Sequence, residues 1–185
     1  GRFIDGLAAL HENKQFVHSY HKDAFEHITQ KHFNEILDLY PEFFRPKILN
    51  IFKTLVKLKK KNKNLKLPIY KNNMGPRSWT LYIKRYIENK IGHKLFDKTI
   101  TGYRTHEKGN CRTTHSKTHK DLIKCMKLPS NTQIVFFDDQ YHPKMKHNNI
   151  HYVHLSPYTR GIKFLDMIKR FIKANNKGKF GTTFK

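Results

Sequence analysis

Apolar side chains recur along this chain at two different periods, and the switches between them predict where helices give way to strands. Between Asp23 and Leu39, the residues Phe25, Ile28, Phe33, Ile36 and Leu37 fall at helical spacing, and Pro41 ends the segment. A clearer helix is predicted from Arg45 to Lys61. There Ile48, Ile51, Phe52, Leu55 and Leu58 line one side, and Pro46 suits a first turn, where its missing N–H costs nothing. After Pro76, the residues Trp79, Ile83, Tyr86, Ile87 and Ile91 share one face of a third helix, which Gly92 stops. Lys117 to Lys127 reads as a fourth, with Leu122, Ile123 and Met126 inward and Leu128-Pro129 closing it. A last helix runs from about Thr159 to Ala174 on Ile162, Leu165, Ile168 and Phe171.

Between these helices the period shortens. Leu65-Lys66-Leu67-Pro68-Ile69-Tyr70 predicts a strand that runs into the loop Asn72-Asn73-Met74-Gly75-Pro76, with Pro68 awkward for a central position. A short strand follows near Lys98 to Thr101, then a polar loop through Tyr103 to Ser116. Thr132-Gln133-Ile134-Val135-Phe136-Phe137 ends in an unbroken apolar run, which predicts a strand buried on both faces. His151 to Leu155 reads as another strand. Strands alternating with helices predict an α/β fold with a mostly parallel sheet. Residues 1–21 carry weak periodicity and read as a loop or small hairpin. With no internal repeat or interdomain linker, residues 1–185 read as one domain, with 17–44 as a small cap and 175–185 as a flexible basic tail.

Composition narrows the class. Aromatic residues make up 13%, with 14 Phe and 9 Tyr, which argues for an aromatic core and against disorder. No apolar run is long enough to span a bilayer, and no secretory pattern stands at the start, so the expected setting is cytoplasmic. The two cysteines, Cys111 and Cys125, suit a reducing compartment rather than a disulfide scaffold. The first residue is Gly1 rather than Met, which reads as a processed or truncated piece, or as a sequence given without its natural beginning. Lys and Arg number 37 against 14 Asp and Glu, a net charge of +23, and this favours polyanionic partners. The run Lys57-Leu58-Lys59-Lys60-Lys61-Asn62-Lys63 has the composition of a nucleic-acid patch or localisation signal. The stronger reading is that it closes a helix, where cations suit the negative end of the dipole.

In open α/β sheets, sites gather at the carboxyl ends of strands. Asp138 and Asp139 directly follow the buried strand, where both can approach one hard cation such as Mg²⁺. Lys71, Asn72 and Asn73 stand where a strand meets a loop before a helix, a place that suits phosphate. Lys117 stands at a helix start, the wrong end for a cation unless a bound anion offsets it. Cys111, His115 and His119 recur every four residues, but no fourth zinc ligand is evident. His142, His147, His151 and His154 read as surface or packing residues. No P-loop or dinucleotide glycine motif occurs.

These strand ends together resemble the haloacid dehalogenase (HAD) superfamily. The resemblance rests on Ile69-Tyr70-Lys71-Asn72-Asn73, Lys117-Thr118-His119-Lys120-Asp121-Leu122 and Ile134-Val135-Phe136-Phe137-Asp138-Asp139. The segment Arg45-Pro46-Lys47-Ile48-Leu49 before a long helix adds to it. It is closest to the HAD-like phosphatases of large DNA viruses, which fits an AT-rich composition and would place the protein in host cytoplasm. It implies a Rossmannoid three-layer domain with a small helical cap and a Mg²⁺-dependent phosphohydrolase acting through an aspartyl-phosphate. By position, Lys117 matches the lysine that neutralises the phosphoryl group, and Asp138 and Asp139 match the acids that hold Mg²⁺. Lys71, followed by Asn72 and Asn73, stands where the family places a phosphate-binding Ser or Thr. The Asp-x-Asp-x-Thr motif that supplies the nucleophile does not occur in these 185 residues; Asp5 lacks the second Asp. The expectation is that the chain begins just after its nucleophile strand. The resemblance implies a phosphorylated substrate, nucleic acid among the candidates, and no membrane. The alternative is a catalytically degenerate HAD fold that holds nucleic acid through its positive charge.

Overall fold

The computed structural model describes residues 28–72, 77–104, 110–159 and 161–176. These carry five α-helices: α1 (Gln30–Leu39), α2 (Ile48–Lys61), α3 (Arg77–Ile91), α4 (His119–Met126) and α5 (Phe164–Asn176). Four strands accompany them: β1 (Pro68–Tyr70), β2 (Lys98–Ile100), β3 (Ile134–Asp138) and β4 (Ile150–His154). The chain is mixed α/β, and it divides into two compact units. One is Lys47–Thr159; the other joins the described parts of Gly1–Pro46 and Arg160–Lys185. The expected hairpin over 1–21, the start of the first helix, Asn73 and the tail from 177 onward lie outside the described residues.

In the smaller unit, the side chain of Thr29 caps α1 by accepting from the His32 N–H. Tyr40, only 1% exposed, sends its hydroxyl to the Met167 carbonyl of α5 at 2.8 Å. Arg170 of α5 closes the same contact from the other side. Its guanidinium donates to the Leu39 carbonyl and to Glu42 at 2.9 Å, and it lies over the Tyr40 ring. The described part of the expected cap, residues 28–44, therefore packs in one unit with the last helix, a pairing that no local pattern signals.

The larger unit carries the sheets. All pairing is parallel, as the alternation of strands and helices predicts, but the strands form two separate pairs. In β1–β2, Pro68 aligns with Lys98 and Tyr70 with Ile100. In β3–β4, Ile134 aligns with Ile150 and Asp138 with His154. Among the described residues, β1 and β3 each keep one edge with no strand partner. Helix α4 joins the two pairs, because Leu122 and Cys125 pack with Ile100 of β2, Phe136 of β3 and Met145 in one buried cluster. The short helix is well defined at both ends. The Thr118 hydroxyl accepts from the Asp121 N–H, and Lys127 adopts the left-handed conformation (φ 53°) that ends the ladder.

Several expectations change. Strand β3 is not buried on both faces: Phe136 is 7% exposed, whereas Val135 and Phe137 are 59% and 61% exposed. An apolar run records that both faces can be covered, not that both are. Pro46 lies before α2 rather than inside its first turn, because Lys47 turns left-handed (φ 63°) to start the helix. On α3, Ile83 is 40% exposed, and Thr80 takes a buried place beside Tyr86, Ile87 and Ile91. Gly92 does end that helix, at φ +71°. Cys111 and Cys125 are not free thiols but a disulfide that ties the loop before α4 to the helix itself. The pairing also removes Cys111 from any zinc site with His115 and His119. No helix among the described residues is long and apolar enough to cross a membrane.

Candidate phosphate and metal site

Lys117 immediately precedes the N-cap of α4, so its side chain projects from the helix entrance rather than from the helix. It is 7% exposed, and its ammonium meets the carboxylate of Asp138, the last residue of β3, with Nζ 2.5 Å from Oδ2. Two rings complete the enclosure. The Lys117 nitrogen lies 5.8 Å from the centre of Tyr70, at the end of β1, and 5.7 Å from the centre of Phe136. The rings themselves stand 6.5 Å apart, edge to face. The carboxyl ends of β1 and β3 are thus brought to one ammonium, as expected for Lys117 and Asp138. The Tyr70 hydroxyl braces the arrangement by accepting the Thr118 N–H at 3.1 Å, and burial holds its phenol above the ordinary tyrosine range.

Asp138 is held by three neighbours. Oδ2 receives Lys117 and faces His142 Nε2 at 3.4 Å, while Oδ1 accepts the Gln140 N–H at 2.9 Å. Burial alone would push this carboxyl up. The hydrogen bonds from Lys117 and Gln140, with the positive charge of Lys117 beside it, outweigh that and hold it below the ordinary carboxylate range. It is therefore ionised at neutral pH. His142 is shifted down as well: burial first, then the adjacent Lys117 charge, depress its imidazole against the pull of Asp138. A neutral imidazole and an ionised carboxylate thus stand side by side.

The remaining expected residues behave differently from one another. Asn72 joins the site indirectly, its Oδ1 accepting from Arg112 Nη2 at 2.9 Å. Lys71 turns its ammonium to the Thr80 hydroxyl at 2.5 Å, on α3. Burial, then the charge of Arg104, lowers its pKa from the ordinary lysine value. Asp139 is exposed, and it is its backbone oxygen that faces His154 Nε2, at 3.3 Å. Asn73 lies outside the described residues.

The hub of the site is a residue that the sequence pattern passes over. Arg112 is 3% exposed, and its guanidinium is shared among the backbone oxygens of Lys71, Thr101, His115 and Ser116 and the side chain of Asn72, at 2.7 to 3.3 Å. It lies over the Tyr70 ring at 5.0 Å. It thereby ties the ends of β1 and β2 to the loop that delivers Lys117. Beside it Asp121, 0% exposed, accepts the N–H and the hydroxyl of Thr113, fixing the other flank of that loop. A planar cation with five donors can collect carbonyls from three segments at once, which a lysine cannot. In the sequence Arg112 is one basic residue in a polar loop, and only its position next to Cys111 hints at burial.

The fit to a divalent cation can be read from the carboxylate. Two oxygens offer about four lone-pair directions, and Lys117 and Gln140 donate to two of them. The rest of the carboxylate has the His142 imidazole beside it, with Nε2 3.4 Å from Oδ2 and without a hydrogen-bond partner. That suits a hard ion which takes one or two protein carboxylates and fills its other positions with water and phosphate oxygens. Among the described residues no group of three or more His, Cys, Asp or Glu side chains converges as a ready-made cage. Comparisons with protein-family models, with curated proteins and with solved structures found no match.

Proposed function

We propose that this chain belongs to a Mg²⁺-dependent phosphohydrolase of the HAD type. The observation that carries the reading is the Lys117–Asp138 pair, enclosed by Tyr70 and Phe136 at the carboxyl ends of two parallel strand pairs.

In this reading Asp138 would help to hold Mg²⁺, which would supply charge neutralisation at the phosphoryl oxygens. Lys117 then exchanges its carboxylate partner for a phosphoryl oxygen and stabilises the charge that grows in the transition state. Arg112 keeps Asn72 and the Lys117 loop in register. The attacking carboxylate is supplied from outside these 185 residues, since no Asp-x-Asp-x-Thr stands within them.

Two measurements test the reading. Titration of Mg²⁺ with inorganic phosphate, followed by amide NMR, should shift the signals of Lys117 and Asp138, and Asp138→Asn should abolish the shifts. Unchanged affinity in Asp138→Asn would remove Asp138 from the metal site. The 185-residue chain should leave an aryl phosphate unhydrolysed above background, because charge stabilisation provides no attacking atom. Robust Mg²⁺-dependent turnover by this chain would show that the nucleophile lies within it.

A further inference from the structure

A second basic site lies in the same unit, at the end of α2. A shallow, open depression is lined by Val56, Lys59, Lys60 and Lys63 from α2 and the turn after it, and by His93 and Lys94 from the loop after α3. Its acidic neighbours are already committed. Asp97 pairs with Lys59 at 2.7 Å and also accepts the Leu67 N–H. Glu88 accepts the N–H groups of Leu95 and Phe96 and so shapes the loop that presents Lys94. Lys59 donates its other bond to the Leu95 carbonyl. Lys60 Nζ stands 3.2 Å from His93 Nε2, and Lys63 and Lys94 have no acidic partner among the described residues.

Helix dipoles account for part of this charge and not for the rest. A cation at a helix end gains about 0.3–1 kcal/mol, and the effect fades within the last turn. Lys63 lies beyond the end of α2 at Lys61, and Lys94 lies beyond the end of α3 at Ile91. Three lysines therefore crowd one concavity with no internal anion to offset them, in a chain of net charge +23.

We propose that this depression binds the phosphate backbone of a nucleic acid. The ligand chemistry follows from the charge: exposed ammonium groups with no acidic partner suit the regularly spaced phosphodiester oxygens of a strand. The proposal goes beyond the reading of the Lys117–Asp138 site and needs no turnover there, so either can fail without the other.

The test is fluorescence anisotropy with a labelled single-stranded oligonucleotide, in EDTA, across a salt series. The variants are Lys60→Ala/Lys63→Ala/Lys94→Ala and, as a control of equal charge change, Lys124→Ala/Lys144→Ala/Lys146→Ala. All six lysines are exposed, so both triple variants should fold, which their thermal melts will verify. The first triple should weaken binding at least about 10-fold near physiological salt. It should also reduce the slope of log K against log salt by about two, since each lost phosphate contact on a single strand is worth about 0.7. The control should change both far less. Equal losses in the two triples would mean that binding is spread over the basic surface, and would overturn the proposal. So would wild-type binding to anionic phosphatidylserine vesicles that the first triple loses while oligonucleotide binding is kept.

Discussion

Replacing Arg112 by Met keeps a long unbranched side chain in place and deletes the guanidinium. Five acceptors then lose a donor: the carbonyls of Lys71, Thr101, His115 and Ser116, and Asn72 Oδ1, of which the Ser116 carbonyl keeps the Thr114 hydroxyl. Nη1 and Nη2 carry four hydrogens between them, and hydrogen bonds from a charged donor contribute about 1.5–3 kcal/mol each, so the low end of that range puts the gross loss at about 6 kcal/mol. The opposing effect is the guanidinium's own desolvation, several kcal/mol for an ion held this far from water, which the Met variant no longer carries. The net expectation is destabilisation by about 3–4 kcal/mol. Arg112→Lys separates charge from geometry. It keeps a buried cation but offers at most three donors from one point, so it should be at least as destabilised as Arg112→Met. Urea unfolding followed by far-UV circular dichroism and by the single tryptophan, Trp79, reads both, with the midpoint falling and the slope unchanged. A Met variant within about 1 kcal/mol of the parent would refute the hub role, because mutational effects that small need no network. Parent-level stability in Arg112→Lys would show that charge alone matters.

Asp138→Asn leaves the Lys117 ammonium buried without a carboxylate and should cost about 3 kcal/mol; adding Lys117→Met should recover part of it, and a double variant weaker than the single in thermal melts would contradict the pairing. Asp97 is pushed up by burial, but the hydrogen bonds from Lys59 and the Leu67 N–H, with the charges of Lys59 and Lys66, hold it below its ordinary value. Its stabilisation is therefore fully present above the unfolded carboxylate pKa of about 3.9 and is lost as pH falls through the lower folded value. The stability gap between the parent and Asp97→Asn should accordingly shrink as pH drops from 6 toward about 3, and a gap independent of pH would remove that ion pair from the account. The Cys111–Cys125 bond spans a sequence separation of 14, so its reduction should cost about 3 kcal/mol; thiol titration of the unfolded, unreduced chain should find no free thiol, and two free thiols would rule the bond out.

Much of the secondary structure was legible because it depends on neighbours in the chain. Helical spacing placed α2 and α3, Gly92 marked the end of α3, and the shortened period near Ile69 and Ile134 marked β1 and β3. The parallel pairing followed from helices intervening between strands. The Lys117–Asp138 contact was also within reach, because residues at strand ends and helix entrances converge in α/β folds whatever the details.

What the sequence could not specify depends on distances between remote segments. The apolar run of β3 states that Val135 and Phe137 are willing to be buried; only packing decides that α4 covers the Phe136 face and leaves the other open. Two cysteines in a chain become a disulfide only if the fold brings their Cα atoms together, here to 5.1 Å. Arg112, Asp121 and His142 have no periodic signature, since a buried charge is tolerable only where several elements deliver its partners at once. The sequence by itself determined the elements, through local sterics and hydrophobic period. The tertiary structure decided which charges are buried and paired, because desolvation and hydrogen bonding are settled by the whole neighbourhood of a group and not by its position along the chain.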